Sequence, residues 1–255
     1  MSRALLITYH AIEHGPQPLC VDPDLFRRHV ETVLSDGARI VDVTTLVDQL
    51  SAPPSSERLV AFTFDDGFSS VARHAAPILS SYGVGATVFC VAGYVGGRND
   101  WPTDRAGGLV SSLMSEEDIA QIVSDGLEVG SHGFSHVPIS RVEGDLLRRE
   151  VVESKQMLER LSGTTVRSFA YPYGALPDED SRRLVGSTYD AACTTRLAAV
   201  DVGADLHLLP RVDAHYLRRP EILRRAVSGS LDSYLLLRRL GSRARRVLRP
   251  DYVTA

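Results

Sequence analysis

Two short stretches of the chain hold residue types that could do chemistry at their spacing. The first is Thr63-Phe64-Asp65-Asp66-Gly67, at the end of an apolar run. Two adjacent carboxylates would repel each other if both were buried, unless a cation lay between or beside them. Gly67 lets the chain turn sharply, so that both could face one pocket. The plainer reading is a solvated turn in which one Asp caps the next helix, since Asp-Gly is a common turn dipeptide. The second stretch is Ser131-His132-Gly133-Phe134-Ser135-His136. Two histidines four apart converge on one metal if the segment makes a helical turn, and imidazole suits zinc. Most isolated HxxxH pairs are surface or core histidines. This one gains meaning because it follows a separate strand, as the double Asp does. Two His and one Asp leave a coordination position open, the pattern of a catalytic zinc. The three cysteines, Cys20, Cys90 and Cys193, are far apart and form no CxxC, which argues against a structural zinc site or a disulfide framework.

The elements that must position these residues alternate strand and helix. Strands are expected at Ala4–Thr8, Arg39–Val43, Leu59–Phe64, Ala86–Val91, Leu127–Gly130, Val166–Ala170 and Tyr189–Thr194, with a further one at His207–Val212. Helices are expected from Asp22-Pro23 to Gly37, and over Thr44–Leu50, Ser69–Ser81, Glu116–Ser124 capped by Ser115, Arg141–Leu161 and Asp178–Val185. Residues 93–112 read as a long loop. The fold class is therefore α/β, a distorted (β/α) barrel of about seven parallel strands in a single domain. In such barrels the reacting residues sit at the C-terminal ends of strands. His10, Asp65-Asp66, His132 and Tyr173 each follow an expected strand.

The 255 residues are 44% apolar and 24% charged, which excludes a disordered or fibrous chain. No apolar run approaches the ~18 residues of a membrane span, and Ala4–Ile7 is too short for a signal-peptide core, so the expected location is the cytoplasm. The net charge of −4 is uneven. Residues 211–255 carry eleven Arg against four acids, a net of +7, which leaves −11 on the rest. The expected organisation is a catalytic barrel over 1–230 and a basic C-terminal helix or tail over 231–255. In the tail, Leu231, Tyr234, Leu235, Leu237 and Leu240 precede clustered Arg. That segment is either a peripheral contact to an anionic membrane surface or a helix covering the barrel with its Arg solvated. Nothing points to specific nucleic-acid recognition.

Together the two motifs resemble the polysaccharide deacetylase family, carbohydrate esterase family 4, over roughly residues 4–227. Thr63–Gly67 matches its TFDDG motif, and His132–His136 its histidine motif, in order. The resemblance implies that Asp66, His132 and His136 bind one divalent ion, with zinc expected, and that Asp65 is the general base. A third family motif, Phe-Arg-Pro-Pro-Tyr-Gly, stands here as Phe169-Ala170-Tyr171-Pro172-Tyr173-Gly174. It implies that the Tyr173 backbone N–H helps hold the oxyanion. The Arg that orients the base in the family is replaced by Ala170, and Arg211 is the candidate substitute. The family's C-terminal Leu-x-His is missing in clear form. Leu6-Ile7-Thr8-Tyr9-His10 resembles instead the exopolysaccharide poly-N-acetylglucosamine deacetylase subgroup, which makes His10 the candidate general acid, with His207 and His215 as fallbacks.

The implied activity is metal-dependent removal of N-acetyl groups from an N-acetylated sugar, such as a GlcNAc-containing saccharide, glycoconjugate or glycosylated metabolite, with release of acetate. Tyr94, Trp101 and Phe134 are candidate sugar-stacking residues. An O-acetyl esterase or a non-sugar amide or imide hydrolase of the same fold is the nearest alternative. The missing Arg at position 170 keeps open a non-catalytic carbohydrate-binding relic. A phosphatase with alternating Asp-x-Asp acids fits poorly, because here the acids are adjacent and Phe68 follows.

Overall fold

A computed structural model describes residues 4–53, 56–102, 110–201 and 203–230. Its ten strands are β1 Ala4–Tyr9, β2 Ala11–Ile12, β3 Cys20–Val21, β4 Arg39–Val41, β5 Leu59–Phe64, β6 Thr87–Cys90, β7 Glu128–Ser131, β8 Ser168–Ala170, β9 Ala191–Cys193 and β10 Val212–Asp213. Eight of them form one parallel sheet in the order β10-β1-β5-β6-β7-β8-β9, with β4 on β5. The distortion lies at β5. One edge pairs with β1 along its whole length, from Ala4↔Leu59 to Tyr9↔Phe64. β4 takes Leu59–Ala61, and β6 takes Thr63 and Phe64.

The ring is closed by one short segment. Leu209 bridges in parallel to Cys193 of β9, and three residues later Val212 and Asp213 pair with Ile7 and Thr8 of β1. The expected last strand at His207–Val212 is thus a crossing piece, shared between the two ends of the sheet. β2 and β3 form a separate two-stranded ribbon, absent from the sequence reading because two residues carry no period.

Alternation sorts each strand between two cores. Ala4, Leu6, Leu59, Ala61, Phe89, Ala170, Ala191, Cys193 and Leu209 share the barrel interior. Leu5, Ile7, Tyr9, Val60, Phe62 and Phe64 pack outward against the helical layer. Phe89 fills the interior because Gly130 gives it room: a Cβ there would lie 2.4 Å from the ring. At the N-terminal end of the barrel, Glu128 accepts from Thr44 Oγ1, Thr87 Oγ1 and Ser168 Oγ at 2.6, 2.7 and 2.8 Å, which satisfies a carboxyl whose pKa burial pushes up.

The surrounding helices are α1 Pro23–Ser35, α2 Val43–Ser51, α3 Ala76–Ser81, α4 Glu116–Ser124, α5 Gly144–Arg148, α6 Ser154–Ser162, α7 Glu179–Thr188 and α8 Pro220–Val227. Local chemistry starts several of them. Asp22 and Asp42 cap α1 and α2, and Ser115 with Asp118 makes a capping box on α4, each cap being worth about 1 kcal/mol. Two helices differ from expectation. A π-helical turn, Val71–Ala75, precedes α3, and another, Arg149–Glu153, joins α5 to α6. The expected long helix over Arg141–Leu161 is therefore helical from Gly144 to Ser162 with one wide turn inside. The expected basic tail over 231–255 lies outside the described residues.

Candidate metal centre and active site

Asp65 follows β5 directly and points inward by the same alternation that points Thr63 inward. Asp66 would then face outward, but its backbone takes the left-handed conformation, φ 72°, followed by Gly67 at 76°. The turn therefore begins at Asp66 itself, one residue before the expected glycine, and both carboxylates face one pocket. Among the described residues, the non-glycine residues with positive φ are Asp66, His136 and Tyr173. Each costs of order 1–3 kcal/mol, and such strain clusters at functional sites.

The side chains of Asp66, His132 and His136 converge at the mouth of the barrel. Asp66 Oδ1 lies 3.5 Å from His132 Nε2 and 3.3 Å from His136 Nε2, all three residues buried. One ligand atom from each lies within 4.8 Å of the others. Tetrahedral ligands ~2.0–2.2 Å from a zinc ion would stand ~3.3–3.6 Å apart, so the spacing fits the group. The donor chemistry fits as well. His132 Nδ1 is 2.8 Å from the Ala170 carbonyl, which can only accept. The proton is therefore on Nδ1, and the Nε2 lone pair faces Asp66, as a metal-ligating histidine requires. His136 Nδ1 is 3.1 Å from the Tyr173 hydroxyl. Burial pushes the His132 imidazole down to about 4 against the pull of Asp65 and Asp66, which keeps it neutral. Burial alone would raise Asp66, but its bond to His136 and the nearby His10 and His132 hold its carboxyl well below the usual range.

Asp65 is held by Arg211. The guanidinium reaches both carboxylate oxygens, Nη1 to Oδ1 at 2.6 Å and Nη2 to Oδ2 at 2.8 Å, with Nε donating to the Thr194 carbonyl. Burial tends to raise the Asp65 carboxyl, but the guanidinium and His132 outweigh it, and the pKa falls. Arg211, the candidate substitute for the Arg missing at position 170, thus contacts both oxygens of Asp65.

His10 follows β1 and is brought beside the double Asp by the pairing that carries Asp65 N–H to the Tyr9 carbonyl at 2.9 Å. Its charge acts on Asp65, Asp66 and Asp213. Asp213, at the end of β10, was not singled out from the sequence. His215 is exposed at the same end of the barrel, its backbone N–H donated to Asp213. His207 is elsewhere. Its Nε2 meets the Tyr189 carbonyl at 2.9 Å, before β9 begins and so at the opposite end of the barrel.

The three aromatic candidates differ in their surroundings. Trp101 is only 2% exposed, its ring 4.1 Å from that of His136 and edge-on to Tyr94, so it walls the ligand cluster and presents no open face to a sugar. Phe134 packs against Gly93 and beneath the Arg149 guanidinium, 4.2 Å from the ring centre. Tyr94 is half-buried. Among the described residues, the aromatic with an exposed surface beside the cluster is Tyr173, 38% exposed, with Leu176 at 66% three residues on. From the sequence, Tyr173 is expected to act only through its backbone N–H.

A sequence profile described as Polysaccharide deacetylase matches residues 52–191, more than half of the chain and both of the motifs that build this pocket. The chain belongs to the polysaccharide deacetylase family. This polysaccharide deacetylase family member is 23% identical to YxkH of Bacillus subtilis over 210 residues, 81% of this chain and 70% of YxkH. It is 20% identical over 196 residues to a poly-beta-1,6-N-acetyl-D-glucosamine N-deacetylase of Staphylococcus epidermidis, covering 73% of this chain and 65% of that enzyme. The chain thus spans a little under two thirds of the staphylococcal enzyme. Among solved structures, the deacetylase PplD of Streptococcus pyogenes superimposes with a TM-score of 0.73 at 20% identity, over 90% of this chain and 98% of that one. IcaB from Ammonifex degensii gives 0.72 at 23% identity, over 90% and 97%. These likenesses establish the barrel of this family of hydrolases. Among the described residues, no helix is long and apolar enough to cross a membrane.

Proposed function

We propose that the chain is a zinc-dependent carbohydrate N-deacetylase acting on an N-acetylglucosamine-containing saccharide or glycoconjugate. The observation that carries this reading is the Asp66–His132–His136 cluster lying beside a second carboxylate, Asp65, that is clamped at both oxygens. Asp66, His132 and His136 would hold the ion. When bound, the ion supplies Lewis acidity, polarising a carbonyl and making water a stronger acid.

The remaining steps belong to the chain's own groups. Asp65, kept ionised by Arg211, takes the proton of the attacking water, and the clamp fixes the direction of its lone pairs. The Tyr173 N–H, on its left-handed turn beside His136, donates to the developing oxyanion. His10, which follows β1 beside the double Asp, protonates the departing sugar nitrogen. Tyr173 and Leu176 form the exposed apolar rim on which a sugar face can rest. Residues 1–230 are read as the catalytic unit and 231–255 as a basic appendage to it.

The pairing of Arg211 with Asp65 favours a catalytic reading over a non-catalytic relic, since it supplies the cation missing at position 170. The test is elemental analysis of the purified protein combined with acetate release from β-1,6-linked N-acetylglucosamine oligomers, chitooligosaccharides and acetylxylan. Zinc at one equivalent with acetate released from the N-acetylated sugars supports the proposal. Release from acetylxylan alone would make the chain an O-acetyl esterase, and a metal-loaded protein releasing no acetate from any of them would refute it.

A further inference from the structure

The residues between the two histidines are wrapped around a side chain that takes no part in the chemistry above. Glu150 lies on the π-helical turn Arg149–Glu153 and is 3% exposed. Its Oε2 accepts from the backbone N–H groups of Phe134 at 2.8 Å and Ser135 at 3.0 Å, and its Oε1 accepts a short bond from Ser135 Oγ. The Gly133 N–H is donated to Ser131 Oγ at 3.3 Å, and Ser131 Oγ meets Ser154 Oγ, which donates back to the Glu150 carbonyl at 2.6 Å. The N–H groups of three successive residues are thus all taken by β7 and by this one turn of helix. The approach is close: Gly133 has φ +81°, and a Cβ on it would stand 2.9 Å from Glu150 Oε2. Successive N–H groups folded around one anion form a nest, and here the anion is built into the protein. π turns insert a residue into a helix and recur at functional sites. This one sets Glu150 under the loop.

We propose that Glu150 is a positioning residue for the metal centre. Its carboxylate fixes the 133–135 segment in the turn that ends with His136 in its left-handed conformation, φ 55°, and so brings His136 Nε2 to Asp66. It acts through His136, lies outside the ligand cluster, and sets the affinity and geometry of the site. The inference rests on the reading that Asp66, His132 and His136 hold a divalent ion.

Cobalt titration of the metal-free full chain tests it, because the visible Co²⁺ spectrum reports coordination geometry without turnover. Wild type is expected to bind one Co²⁺. Glu150→Met keeps the length of the side chain but offers no acceptor to the Phe134 and Ser135 N–H groups, both of which go to Oε2. It should weaken Co²⁺ binding by about 10–100-fold and shift the visible bands, the usual loss for a residue that orients a ligand. Ser135→Ala, which leaves both backbone donors in place, should weaken binding less and decides the matter if Glu150→Met does not fold. Wild-type affinity and an unshifted spectrum in a folded variant would overturn the proposal, even with a lowered melting temperature, since Glu150 would then be structural only. Failure of the wild-type chain to bind Co²⁺ would instead overturn the metal-site reading, and this inference with it.

Discussion

Arg211 grips Asp65 at both oxygens, at 2.6 and 2.8 Å, across 146 residues of sequence and with both side chains buried. The guanidinium is itself held, by the Thr194 carbonyl at Nε and the Thr63 hydroxyl at Nη1, so Asp65 has one orientation. A buried pair of this kind costs more to break than it gained in forming, because the survivor is left charged and alone.

Arg211→Met should accordingly destabilise the fold by about 3–5 kcal/mol, read as a fall in the urea midpoint. Arg211→Lys keeps the charge but loses the fork. It is expected to fold better than the Met variant while remaining well below wild type in turnover. Equal turnover in Arg211→Lys and wild type would show that charge alone is needed.

Asp65→Asn should lower kcat by about 10²–10⁴, the range for loss of a general base, while bound metal after dialysis stays at the wild-type level. An undiminished rate would refute the base assignment, and loss of the metal would mean that Asp65 is a ligand.

His10→Ala separates the acid from the ligands by choice of leaving group. Amide hydrolysis should fall by about 10²–10⁴, whereas an activated aryl acetate, whose leaving group needs no proton, should lose under about ten-fold. Asp213→Asn should follow the same pattern more weakly. Parallel losses on both substrates would point to damage at the metal centre.

His29 supplies a pH signature away from the site. Its Nδ1 lies 2.9 Å from the Tyr9 hydroxyl, and burial, aided by Arg28 and Arg218, pushes its imidazole down to about 4. Unfolded, it titrates near ~6.5. Between those values the unfolded chain binds a proton that the folded chain refuses, so stability falls as pH drops from ~6.5 toward 4 and is flat above. His29→Gln retains a partner for Tyr9 and should show a shallower decline in urea midpoint over that window. Identical slopes would remove His29 as a source.

Much of this pocket is legible from residue types alone. Leu59–Phe64 forms a strand as its apolar run predicts, and Ser115 caps Glu116–Ser124 as its spacing predicts. The four strand-end groups lie at one end because parallel strands share a direction. Glu150 is not legible, since helical periodicity does not reveal a single extra residue, and the π turn depends on what the helix packs against. Trp101 stands in a polar, glycine-rich stretch that reads as a long loop, yet it is buried, its ring packed against His136 and Tyr94. Asp213 is invisible for another reason. A two-residue strand has no pattern, and what places it is the closure of the ring onto β1.

That closure has a consequence for the order of events during synthesis. The ligands for the ion are all translated by residue 136, but the guanidinium that aims Asp65 arrives only with the segment that zips the last gap in the ring. On the proposed mechanism, a chain still missing that segment would hold the three ligand residues yet lack an aligned base. On that mechanism acetate release during refolding should lag metal uptake, because the base is aligned only when the ring shuts.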